Sequence, residues 1–186
     1  MQKIILASQS PRRRELLHLA EIPFEVIVAD TDESYPGGLT PAEVAVHIAK
    51  NKALAVAQKT NNGLLILAAD TIVVCDNKII GKPADRAEAI EILKTISGNT
   101  HEVITGVCML QKQKKISFFD TTTVSFHPLT DQQIGYYVDK YKPYDKAGAY
   151  AIQEWIGAVG IKRIDGDFYN VMGLPVSRVA QALQRL

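Results

Sequence analysis

An aspartate set inside an apolar run is the most chemically loaded feature of the chain. Leu64-Leu65-Ile66-Leu67-Ala68-Ala69-Asp70-Thr71-Ile72-Val73-Val74-Cys75 is rich in β-branched residues, reads as a buried strand, and is too short to span a membrane. An ionised carboxylate there loses its hydration, at a cost of several kcal/mol unless a metal ion, a basic partner or an opening to water compensates. Two readings stay open. Asp70 caps a turn between two strands, or it stands in a cleft at the carboxyl end of a buried strand.

Basic groups elsewhere have the charge to answer it. Ser8-Gln9-Ser10-Pro11-Arg12-Arg13-Arg14 follows a short apolar stretch, with Ser10 as helix cap and Pro11 at the first helical position. Cations are disfavoured at a helix N-terminus, so three arginines there are either a solvated basic turn or an anion-binding loop whose ligand neutralises them. Lys52 falls near the middle of an apolar helical face made by Val44, Ala45, Ile48, Ala49, Ala55 and Val56. It must find an anionic partner or snorkel to an opening. Lys82, between Gly81 and Pro83, is a solvated turn lysine or a phosphate contact; the spacing is not that of a Walker loop. The acidic loop Asp30-Thr31-Asp32-Glu33 is a solvated turn or a source of oxygen ligands for a hard cation.

The elements that carry these groups can be read from caps and periodicity. Strands are expected at Lys3–Ala7, Phe24–Val28, His101–Leu110, Lys115–Phe126 and Ala158–Ile164, with a hairpin turn at Asp76-Asn77-Lys78. Helices are expected from Ser10, from the capping box Thr40-Pro41-Ala42-Glu43 to about Thr60, from Asp85 to Ser97, from Thr130, and from Pro175 to Leu186. In the Thr130 helix, Ile134, Tyr137, Val138 and Tyr141 face inward. The small residues of Tyr144–Gln153 suit close backbone approach. Strand–helix alternation interrupted by an antiparallel block indicates a mixed-sheet α/β protein.

Composition narrows the rest. Apolar residues make up 47% and charged residues 22%, which fits a soluble globular chain and excludes wholesale disorder. A net charge of +1 leaves no broad footprint for nucleic acid. Cys75 and Cys108 lie in apolar runs without CxxC spacing and read as packed, reduced thiols. Met1–Ala7 is too short for a signal peptide, and no membrane span is visible, so the expected address is the cytoplasm and no membrane partner is expected.

Six segments together resemble the Maf family of nucleoside triphosphate pyrophosphatases. They are Leu6-Ala7-Ser8-x-Ser10-Pro11-Arg12-Arg13-Arg14-Glu15-Leu16-Leu17, Ala69-Asp70-Thr71-Ile72-Val73, Gly81-Lys82-Pro83, the stretch from Leu93 through Ser97-Gly98, His101 and Thr105-Gly106 to Val107, Asp145-Lys146-Ala147-Gly148-Ala149-Tyr150-x-Ile152-Gln153, and Asn170-Val171-x-Gly173-Leu174-Pro175. They occur in one order along nearly the whole chain.

The resemblance implies one α/β domain over residues 1–186, with a mixed twisted sheet and two lobes around a central cleft, like inosine triphosphate pyrophosphatases, and commonly a homodimer. It implies hydrolysis of a nucleoside triphosphate to the monophosphate and pyrophosphate with a divalent cation, Mg²⁺ or Mn²⁺. By position, Asp70 matches the proton acceptor. Ser8, Arg12, Arg13, Glu33, Lys52 and Lys82 match positions around phosphate and metal, with Glu33 and Asp70 on the ion. Asp145 through Gln153 is similar to the subfamily acting on dTTP and UTP, in which Arg12, Thr71 and Gln153 correspond to positions linked to substrate choice. The Gln153 amide can donate and accept at once, which suits the N–H and C=O edge of uracil or thymine and suits cytosine less. Two departures bear on the pocket: Glu154-Trp155 follows Gln153 where the family often has glycine, and Gln9 stands where a smaller residue is common. The resemblance also implies alternatives. One is a nucleotide-binding regulator of cell division and septum formation; another is a pyrophosphatase preferring purine or methylated nucleotides.

Overall fold

Ser10, Thr40, Asp85 and Thr130 each cap a helix through a side-chain oxygen that accepts from the backbone three residues on. At Thr40 and Thr130 the box is reciprocal, with Glu43 and Gln133 reaching back to the cap N–H. These caps place the helices of the computed structural model, which describes residues 2–60 and 63–185. Met1, Asn61, Asn62 and Leu186, the last being the expected end of the closing helix, lie outside the described residues.

The strands are β1 (Ile4–Leu6), β2 (Phe24–Val26), β3 (Ile66–Cys75), β4 (Lys78–Ile80), β5 (Thr100–Gln111), β6 (Lys114–Phe126) and β7 (Ile161–Asp165). The helices are α1 (Pro11–Leu19), α2 (Pro41–Lys59), α3 (Arg86–Ile96), α4 (Asp131–Tyr141), α5 (Trp155–Gly160), α6 (Phe168–Met172) and α7 (Val176–Leu183). The strands form one seven-stranded mixed sheet in the order β2-β1-β3-β5-β6-β7, with β4 paired to β3. β1 runs parallel to β2 and β3, with Ile5 opposite Ile66, while the β3–β4 and β6–β7 pairs are antiparallel. Asp76 and Asn77 turn the β3–β4 hairpin with φ of +49° and +59°, the pair of left-handed residues that matches strand twist. No helix among the described residues is long and apolar enough to cross a membrane.

The chain divides into two units. The first comprises Met1–Thr71, Thr105–Asp120 and Gly173–Leu186. Its core joins Ile5, Ala7, Ile66, Ala68 and Cys108 from the strands to Ala49, Ala53 and Val56 of α2. Those three sit at helical spacing, and this corrects the expected face slightly: Ala53 is buried and Ala55 only half-buried. At Gly106 the β5 backbone lies against that of α2; a Cβ there would stand 2.3 Å from the Ala45 carbonyl carbon.

The second unit comprises Ile72–Ile104 and Thr121–Met172. In it α3 packs on α4, and the Arg86 fork grips Asp139 at 2.6 and 2.9 Å. Ala158–Gly160, expected as strand, is helical. The Glu154 carbonyl accepts from both Gly157 and Ala158 N–H and starts α5 there, so the strand begins only at Ile161. Cys75 and Cys108 are both buried and free.

His101, 2% exposed, packs with Phe126 and Tyr150, and its Nε2 lies 2.7 Å from Tyr150 Oη. Nδ1 has no protein partner among the described residues. Burial pushes the imidazole pKa from 6.5 down to about 4. Between those values the unfolded chain binds the proton that the folded one refuses, so stability rises with pH across that window and is lost as pH falls. Urea unfolding is expected to show native protein losing about 2 kcal/mol more between pH 6.5 and 4.5 than the His101→Phe variant.

Candidate active site

The Asp70 carboxylate stands in the middle of a strand. β3 is buried at every position except Asp70 and Thr71, which are half-buried. Asp70 therefore neither caps a turn nor ends a strand; the strand continues to Cys75, and the polar pair interrupts its apolar burial. Its compensation is basic. Lys52 Nζ donates to Asp70 Oδ1 at 2.7 Å and also lies 2.7 Å from Glu33 Oε1.

Lys52 thus has the anionic partner that its place on α2 demands, and the partners are the protein's own carboxylates. Side-chain exposure is 18% for Lys52 and 14% for Asp70, so the pair is largely withdrawn from solvent, whereas Glu33 approaches from an exposed loop. The loop itself is shaped by Asp32, whose two oxygens accept from Ser34 N–H (2.8 Å) and Ser34 Oγ–H (2.6 Å). Of the acidic loop residues, Glu33 is the one that reaches Lys52.

The three arginines separate. Arg14 is exposed and donates to the Gln9 carbonyl at 2.7 Å, and the Gln9 side chain lies on the surface rather than crowding the loop. Arg12 is half-buried. Arg13 is buried, and its fork is engaged within the protein: Nε donates to Gly173 C=O (2.7 Å), Nη1 to Ser8 Oγ (3.1 Å) and Nη2 to Thr71 Oγ1 (3.0 Å). Ser8 Oγ also accepts from Ser10 N–H, and Thr71 Oγ1 lies 2.9 Å from the buried Thr105 hydroxyl. Burial weakens the hold of Arg13 on its proton; the Asp70 and Glu33 charges oppose that shift, and the nearby Arg12 adds to it. Arg13 is thus the hub that ties Ser8 of the loop before α1 to Thr71 of β3 and to the Gly173 carbonyl. Thr105 and Gly173 stand in segments that carry the family resemblance, but the contacts of the Thr105 hydroxyl and the Gly173 carbonyl form across long sequence separations and could not be read from the residues.

In the second unit Lys82 is exposed beyond β4, next to buried Pro83, with Gly81 C=O accepting from Gly148 N–H at 3.2 Å. Gln153 is exposed at the tip of the turn before α5. Among the described residues no group of three or more acidic, His or Cys side chains gathers as a metal cage. The donor set near Lys52 still fits a hard cation of the Mg²⁺ type, which takes one or two carboxylates and completes its shell with phosphate oxygens and water.

The site thus combines a carboxylate pair around Lys52 with a buried arginine bonded to Thr71, the residue after Asp70. The chain belongs to the Maf-like protein family, which matches residues 3–186. It is 50% identical over 183 residues to the dTTP/UTP pyrophosphatase of Parabacteroides distasonis, covering 98% of this chain and 95% of that protein. It is 46% identical over 185 residues to the dTTP/UTP pyrophosphatase of Bacillus cytotoxicus, covering 100% and 96%. Among solved structures the Staphylococcus aureus Ham1 protein aligns at 15% identity and a TM-score of 0.47, over 67% of this chain and 72% of that one.

Lysine in place of Arg13 keeps the charge but cannot serve Gly173, Ser8 and Thr71 together. Arg13→Lys is expected to lower the unfolding free energy by about 2 kcal/mol in urea titrations, because buried acceptors lose their donor.

Proposed function

We propose that the protein is a nucleoside triphosphate pyrophosphatase that hydrolyses dTTP and UTP, and modified pyrimidine triphosphates, to the monophosphate and pyrophosphate. The observation that carries the reading is Asp70, a carboxylate held in a buried strand by Lys52 and accompanied by Glu33. The names of relatives at 46–50% identity over nearly their whole length support the substrate and favour an enzyme over a regulator of division.

In this reading Asp70 accepts the proton of the water that attacks the α-phosphorus, and the bond to the bridging oxygen of the pyrophosphate breaks. Glu33 and Asp70 would hold the divalent cation. Bound there, Mg²⁺ or Mn²⁺ supplies neutralisation of phosphate charge and acidification of water. Lys52 keeps the two carboxylates together in the free protein and is placed to meet phosphate charge once substrate arrives. Arg12 meets polyphosphate charge, while Arg13 acts through Ser8 and Thr71, whose hydroxyls it orients. Lys82 as a phosphate contact and Gln153 as the reader of the pyrimidine N–H and C=O edge are assigned on the sequence resemblance. A cytoplasmic homodimer is part of the same reading.

Incubation with Mg²⁺ and a panel of nucleoside triphosphates, with products resolved, is expected to release pyrophosphate from dTTP and UTP ahead of CTP and purine nucleotides. Orthophosphate in its place would overturn the assigned bond. Asp70→Asn is expected to lower kcat about 10³-fold while nucleotide binding persists; an active variant removes Asp70 as the base.

A further inference from the structure

The turn that presents Gln153 is fastened at both ends to one hydroxyl group. Glu154 N–H donates to Ala151 C=O at 3.1 Å, which makes Ala151–Glu154 a four-residue turn with Ile152 and Gln153 at its centre. Ile152 is buried and Gln153 exposed. Tyr137 of α4, fully buried, accepts at its Oη from Ala151 N–H at 3.2 Å and donates its O–H to Glu154 Oε2. The second oxygen of Glu154, Oε1, lies 3.6 Å from the ammonium of Lys146, a buried lysine that also donates to Asp145 Oδ1 at 2.8 Å. From its other end the turn is closed by α5. A Cβ on Gly157 would stand 1.8 Å from the Ile152 carbonyl oxygen, so glycine is required for that approach.

A turn needs none of this to form. Withdrawing an ammonium and a carboxylate from water returns little net stability compared with apolar packing, so the return is geometric. The first and last residues of the turn are held to one rigid ring, and its exposed tip carries an amide. An amide that must offer a donor and an acceptor to one base edge depends on a fixed backbone, because a loosened tip can approach a different edge as readily. We propose that Tyr137, Glu154 and Lys146 are positioning residues that fix Gln153 for selecting the oxo-pyrimidine base, a role that rests on the base-reading assignment above. The brace is a side chain of the turn itself, since Glu154 meets both Tyr137 and Lys146.

Steady-state kinetics with dTTP, UTP and CTP, together with amide exchange, test the assignment. Tyr137→Phe and Glu154→Ala are each expected to raise KM for dTTP and UTP about tenfold with kcat little changed, and to lower the dTTP-to-CTP ratio of kcat/KM by a similar factor. Glu154→Gln keeps an acceptor for the tyrosine and is expected to restore most of that ratio. The ratio does not depend on the fraction of folded enzyme, which separates positioning from a loss of stability. Amides of residues 151–154 are expected to exchange faster in both disruptive variants. The proposal is overturned if Tyr137→Phe and Glu154→Ala keep the native ratio while Gln153→Ala lowers it, or if exchange in the turn is unchanged. A Gln153→Ala enzyme with the native ratio overturns the base-reading assignment instead, whatever the exchange data show about the bracing.

Discussion

The ion pair between Lys52 and Asp70 is the constraint on which the rest of the site depends. Neither residue is tolerable alone: a lysine on the core-facing side of α2 and an aspartate within β3 each lose hydration on folding. At 2.7 Å they neutralise one another, and Glu33, at the same distance from the ammonium, leaves a net negative charge among the three groups. Arg13 and Arg12 lie close enough to share in balancing that charge. The same ammonium keeps the two acids from repelling each other apart.

Placement of that pair follows from the way the first unit is built. The capping box at Thr40 sets the start of α2, and twelve residues of regular helix then fix where Lys52 emerges. Parallel pairing of Ile5 with Ile66 and Leu6 with Leu67 fixes the register of β3, and so the face on which Asp70 stands. Gly106 lets β5 pass α2 at backbone distance, which brings Thr105 to Thr71. Arg13 then links α1, β3 and the Gly173 carbonyl through three hydrogen bonds. The polar cluster is rigid because its donors and acceptors are shared among separate elements, each held by an apolar core.

Much of this was legible in the residues. Caps, boxes and the Asp76-Asn77 turn announced their elements because they act through neighbours in sequence. Lys52 stood out through helical periodicity, and Asp70 through its apolar surroundings. What stayed hidden acts across long sequence separations. Arg13 looked like one of three equivalent cations, and only tertiary packing shows it donating to Gly173, 160 positions away, while Arg14 lies on the surface. Asp70 was expected at a strand end or in a turn but stands mid-strand, and of the compensators the sequence allowed it is a basic partner, Lys52, that supplies the relief. Tyr137 was read as one more inward-facing aromatic, and its hydroxyl gained meaning only beside Ala151 and Glu154. Ala158–Gly160 went to helix because a carbonyl at Glu154 captured two N–H groups, a competition that strand patterning does not register.

A double-mutant cycle on Lys52→Met and Asp70→Asn, read by urea unfolding at neutral pH and low salt, bears most directly on the central claim. Two shielded, hydrogen-bonded charges are predicted to show a coupling energy of about 2 kcal/mol, with the double variant less destabilised than the sum of the single ones. Additive effects, with coupling below about 0.5 kcal/mol, would mean that Asp70 is held by something other than Lys52, and the account of the site would fail.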